Sequence, residues 1–229
     1  MRLILPAAFG LLGFAVLVAL GLWQMDRLAW KETLLNNIEA RAGATPVAVP
    51  EMPDPEADAF RAVRLEGTVL GPAFTVFGTW RVAGAGVRLV VPVETDGRVL
   101  LVDLGVTAWQ PGTPVRAAGA RAPDVGTALT VEGHLLWPTE EACGAEPDPE
   151  TGDWCGRDVE AFARLAETDP VLVVAAQTDP PLPQITAVPV STEGIPNNHL
   201  GYAIQWFGLA LVWLGMTLFF LWRIRRRTA

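Results

Sequence analysis

The chain reads as two transmembrane α-helices bracketing an extramembrane α+β domain dominated by an antiparallel β-barrel or sandwich. Charge placement is the first reason. Residues 3–25 and 200–222 carry no charged side chain, while all 25 acidic residues, with 12 of the 17 basic ones, lie between residues 26 and 193. A helix of that length satisfies its own backbone across the roughly 30 Å of bilayer hydrocarbon. The second reason is the middle of the chain, where short apolar runs alternate with Gly and Pro, as antiparallel strands require.

The first span covers residues 1–25. Its uncharged run also resembles a signal peptide with a small-residue site at Val18-Ala19-Leu20-Gly21. It is longer than the roughly 7 to 15 apolar residues of such a core, and it ends at Trp23, an interfacial anchor. Beyond it no Pro or Gly occurs until Gly43, and Leu28, Leu34, Leu35 and Ile38 keep near-helical spacing. The helix is therefore expected to continue to about residue 42.

The second span covers residues 197–222, followed by a basic tail at 223–229 with Arg223, Arg225, Arg226 and Arg227. By the positive-inside rule both termini face the cytoplasm and the large domain, 43–196, lies outside. That domain faces a periplasm in a bacterial inner membrane, or the equivalent space of a mitochondrion. The absence of an Arg-rich leader favours the bacterial case. The segment between the spans is strongly acidic, which argues against nucleic acid as a partner.

Within the domain, residues 45–58 hold four prolines among several acids and read as a linker or surface strap. Seven strand-like runs follow: AVRLEGTVL, AFTVFGTW, VRLVVPVE, RVLLVDLG, LTVEGHLLW, VLVVAAQ and ITAVPV. One short helix is expected at 158–166, with Phe162 and Leu165 as its apolar contacts. Cys143 and Cys155 flank a loop rich in Pro, Gly and acids. In an oxidising compartment they most simply form a disulfide, contributing roughly 3 kcal/mol on the entropy model. The rival reading, a metal site, lacks the remaining ligands nearby.

Catalytic patterns are scarce. The glycines of VAGAGVRLVV suit a hairpin turn better than a dinucleotide loop. His134 sits in a strand-like run and is expected to bond a backbone or carboxylate partner. No nucleophile elbow, zincin or Walker pattern occurs, so no catalytic residue is assigned and an enzyme is not expected.

The start of the second span carries more information. Pro196 and Asn197 suit a helix start, placing His199 in the first turn at the outer rim of the bilayer. There the helix dipole disfavours imidazolium and leaves a neutral ring able to ligate a metal. His199, Trp206 and Trp213 recur every seven residues and share a face, with Tyr202 and Ala203 a turn below the histidine. Gly201, Gly208 and Gly215 recur at the same interval, a smooth stripe on which the first span, with Gly10, Gly13, Ala19 and Gly21, is expected to pack.

At the outer end of the first span, Trp23, Arg27, Trp30 and Lys31 lie on one helix face. Two aromatic rings with two cations suit a planar amphipathic ligand bearing carboxylates. Belt aromatics and cations that bind lipid headgroups have the same composition, so spacing alone leaves both readings open.

These terminal stretches are similar to the surfeit locus (Shy-type) family of cytochrome c oxidase assembly factors. The family's first helix ends Leu-Gly-x-Trp-Gln-x-x-Arg-x-x-Trp-Lys, matched from Leu20 through Trp23, Gln24, Arg27 and Trp30 to Lys31. Its closing pattern Asn-Asn-His-Leu-x-Tyr-Ala-x-x-Trp-Phe is matched from Asn197 to Phe207. Gly67-Thr68-Val69, residues 99–105 and the group Trp154, Arg157 and Asp158 resemble interior family segments. Leu104 departs from the usual Arg, and the cysteine loop has no family counterpart.

The resemblance implies an assembly factor with no turnover of its own, assisting haem a binding and insertion into oxidase subunit I. It also implies that His199 is the haem contact. The expected ligand surface is His199, Tyr202, Trp206, Trp23, Arg27 and Lys31, the two cations being added here from spacing. Expected partners are oxidase subunit I, haem a synthase and membrane lipid. The alternatives are a membrane scaffold that never ligates haem and, last, a membrane-anchored hydrolase.

Overall fold

A computed structural model of the chain describes residues 3–80, 84–140, 153–154, 156–193 and 195–228. It divides into two compact units, Met1–Asn37 with Thr192–Ala229, and Ile38–Ser191. The expected pairing of Cys143 with Cys155 falls outside the described residues.

The first unit is a helix pair. Helix α1 (Ile4–Ala42) begins it and runs on without interruption to the glycine at 43, as the lack of Pro and Gly after Trp23 predicts. Its partner begins at His199. Both helices are long and apolar enough to cross a membrane.

The second unit is β-rich. In chain order it contains β1 (Val47–Ala48), β2 (Ala62–Val69), β3 (Phe74–Trp80), β4 (Gly84–Thr95) and β5 (Arg98–Ala108). A 3-10 turn (Val115–Arg121) precedes β6 (Ala128–Leu136), β7 (Thr139–Glu140), β8 (Asp153–Trp154) and β9 (Arg157–Asp158). Helix α2 (Val159–Ala166) and β10 (Leu172–Asp179) complete it, and α3 (His199–Thr228) returns to the first unit.

Strands β2, β6, β10, β5 and β4 close into a five-stranded barrel, sealed by β2 pairing with β4 at Thr68 to Glu94 and Val69 to Val93. The expectation of an antiparallel sheet needs one correction. Strand β10 runs parallel to β5, with Leu172 opposite Leu101 and Val174 opposite Asp103. A closed ring of alternating directions requires an even number of strands, so five strands force a parallel neighbour. The sheet is extended by β1, parallel to β2, and by β3 and β8 beyond β4.

Alternation explains the two cores. In β4 and β5, Val87, Leu89, Val91, Leu100, Val102 and Leu104 point into the barrel. Val90 and Leu101 point outward, joining Phe74, Val76, Trp154 and Phe162 in a second layer beneath α2. Asp158 starts α2 by accepting from the Ala161 N–H at 2.8 Å. Phe162 is buried there as expected, but Leu165 is not. Val159 and Ala163, at i−3 and i+1 from Phe162, complete the inward face, and Leu165 lies off that stripe.

The run ITAVPV forms no strand. Thr186 alone bridges Val106, through hydrogen bonds of 2.8 and 2.9 Å, because Pro183 and Pro189 flank it without N–H groups. That bridge presses on Gly105, whose positive φ of 114° and contact with the Thr186 carbonyl leave no room for a Cβ. His134 finds a backbone partner, its Nε2 donating to the Ala42 carbonyl at 3.0 Å.

Candidate functional site

The site grows from the way α1 and α3 meet. The two helices run antiparallel, and glycines on α1 receive large side chains from α3. A Cβ on Gly10 would collide with Thr217, one on Gly13 would lie 2.5 Å from the Trp213 ring, and one on Gly21 would lie 2.5 Å from the Phe207 ring. Trp213 also donates its indole N–H to the Gly10 carbonyl at 2.9 Å. Ala203 and Ala210 are the buried small residues on α3.

The expected seam is therefore half right. Gly10, Gly13 and Gly21 pack as predicted. Gly201, Gly208 and Gly215 have no atom within 4 Å of a Cβ position and face outward, and Ala19 is exposed. One side of a close helix pair must be smooth and the other must fill it. Here α1 supplies the hollows and α3 the aromatic rings.

At the outer end of the seam lies His199, the first residue of α3. Its turn is closed by the Tyr202 N–H donating to the Asn198 carbonyl at 3.2 Å. The imidazole reaches across to α1, where its Nδ1 lies 2.8 Å from Oε1 of Gln24. Gln24 is buried, with 9% of its surface exposed. Nε2 makes no hydrogen bond to any described residue and is not enclosed.

Two turns further along the same α1 stripe, Lys31 donates to the Pro196 carbonyl at 2.7 Å, tying down the segment that leads into α3. The remaining predicted residues are more open. Arg27 lays its guanidinium over the Trp30 ring, 4.0 Å from the centroid. Trp23 and Tyr202 are exposed, and Trp206 is partly buried.

His199 and Lys31 thus both engage the mouth of the helix pair, while Trp23, Arg27 and Tyr202 are exposed. The group facing the imidazole is the neutral amide of Gln24. Gln24 entered the sequence reading only as a family-motif position with no role of its own, although a signal existed: it is the only polar side chain in residues 3–25, and it repeats at seven with Gly10, Leu17 and Lys31. An amide in an apolar span needs a partner.

Chemically the mouth offers one imidazole with an open ring nitrogen and aromatic neighbours. Among the described residues no group of three or more His, Cys, Asp or Glu side chains could cage a bare metal ion. A single imidazole is a donor set that would suit a haem, because the macrocycle brings its own nitrogen ligands and needs only one from the protein.

Comparison with known proteins agrees with the resemblance read from the sequence. A family model described as "SURF1 family" matches residues 11–211. The chain is 30% identical to a SURF1-like protein of Monosiga brevicollis, over 84% of this chain and 78% of that protein. It is 27% identical to surfeit locus protein 1 of Mus musculus, over 90% and 69% respectively. The human protein of the same name is 28% identical, over 82% of this chain and 68% of its own length.

Proposed function

This chain belongs to the SURF1 family of cytochrome c oxidase assembly factors, and we propose that it receives haem a at the mouth of its helix pair and assists its insertion into oxidase subunit I. The observation that carries this reading is His199, held at the first turn of α3 with Nε2 open. Haem is cargo here. The chain's own residues bind it, orient it and release it.

In this reading His199 Nε2 ligates the iron, Trp23, Tyr202 and Trp206 supply aromatic contact, and Arg27 and Lys31 pair with the propionates. Lys31 retains two N–H donors beyond the one given to Pro196. The spans lie in a bacterial inner membrane with both termini cytoplasmic and the β-rich unit periplasmic. Subunit I and haem a synthase are the protein partners.

The test is the haem a content of protein purified from cells that make haem a. His199→Ala is expected to lose it, and unchanged content would sink the ligand proposal. A second reading, scaffolding of an oxidase intermediate without haem, draws on the outward stripe of Gly201, Gly208 and Gly215, which another transmembrane helix could approach closely. It predicts that Gly208→Leu impairs oxidase assembly while His199→Ala does not.

A further inference from the structure

We propose that Gln24 is the positioning residue for His199: its side-chain carbonyl holds the imidazole as the Nδ1–H tautomer and leaves Nε2 as the ligand nitrogen. The inference deepens the haem reading above and rests on it for the identity of the ligand.

The 2.8 Å separation of Nδ1 and Oε1 is that of a good hydrogen bond. An amide oxygen can only accept, so the ring must donate from Nδ1. A neutral imidazole carries one N–H, and placing it on Nδ1 puts the lone pair on Nε2, at the opposite edge of the ring and open.

Gln24 suits the task for reasons of place as well as chemistry. It is buried in the seam, on the face of α1 that carries Gly21 and, seven residues on, Lys31. Gln24 and Lys31 grip the start of α3 at two points, the ring of His199 and the carbonyl of Pro196. The imidazole is thereby fixed in direction as well as in tautomer. Metal-bound histidines are generally oriented by such a bond from the other ring nitrogen.

The experiment uses the full chain in detergent, labelled with nitrogen-15 at histidine, and reads which ring nitrogen is protonated by long-range nitrogen–proton correlation spectra. The two histidines are assigned by the signal lost in His199→Ala. The wild-type ring is expected to be protonated at Nδ1. Gln24→Leu, of similar volume, should give a mixture of tautomers, and Gln24→Glu, which keeps an acceptor, should restore Nδ1–H. An Nε2–H tautomer in the wild type, or a tautomer unmoved in Gln24→Leu, overturns the proposal.

A haem arm separates the two readings. Gln24→Leu is expected to weaken haem a binding by about tenfold or more, the usual effect of removing such a partner. A wild-type chain with the Nδ1–H tautomer that takes up no haem a overturns the haem reading and leaves the hold of Gln24 on the ring standing. Haem a binding that depends on His199 but not on Gln24 supports the haem reading and overturns the role of Gln24.

Discussion

Arg88 on β4 and Asp103 on β5 form an ion pair on the outer face of the barrel, with 3% and 0% of their side chains exposed. Asp103 also accepts from the Gly105 N–H at 3.0 Å, and Arg157 approaches the same carboxylate at 3.8 Å. The Arg88 guanidinium stacks over Trp80, 4.4 Å from the ring centroid. Both residues belong to strands whose neighbours on that face are apolar, so each charge depends on the other.

Removing one partner leaves the other buried and uncompensated, which costs about 3–5 kcal/mol. Arg88→Met is expected to destabilise the β-rich unit by an amount toward the lower end, since Arg157 remains near Asp103. The double variant Arg88→Met with Asp103→Leu should lose less than the sum of the two single ones. Denaturant unfolding of the full chain in detergent, followed by β-sheet circular dichroism, measures both.

A second carboxylate links stability to pH. Asp58 accepts from the Asp54 N–H at 2.9 Å and from Arg61 at 2.6 Å, and these bonds hold its carboxyl below the ordinary carboxylate range. A carboxyl with a folded value below its unfolded one contributes stability that is complete above the unfolded value and lost as pH falls through the folded one. Wild type should therefore lose stability below about pH 4 more steeply than Asp58→Asn. Equal slopes between pH 6 and pH 3 would contradict this.

The seam makes an asymmetric prediction. Gly21→Ile places a side chain against the Phe207 ring and should cost about 1–3 kcal/mol of helix packing, as overfilling a tight contact does. Gly208→Leu, on the open face of α3, should leave the melting temperature of the detergent-solubilised chain within a degree or two. The reverse result would place the seam on the α3 glycine stripe.

The two histidines should behave differently. His134 is spent on the Ala42 carbonyl within the β-rich unit, so His134→Gln is expected to lose about 1 kcal/mol of stability and keep haem a content at the wild-type level. His199→Ala should instead lose haem a. Haem a lost equally in both variants would argue against His199 as the ligand.

Much of this molecule was legible in its residues. The length of the uncharged runs, the strands flanked by Gly and Pro, the short helix at 158–166 and the motifs around Trp23 and His199 are local properties, governed by hydrogen bonding and periodicity within a segment. Spacing placed Lys31 and His199 on faces that do meet, and the family resemblance held over residues 11–211.

Tertiary structure decided what each face meets. Periodicity shows that Gly201, Gly208 and Gly215 share a stripe, but not that Gly10, Gly13 and Gly21 take the contact and leave that stripe open. Strand-like runs show how many strands could form, yet only closure at five forces β10 parallel to β5. The sequence by itself determined that an imidazole stands at the mouth of a helix. That it faces Gln24 depended on the register of two helices far apart in the chain, which no local pattern encodes.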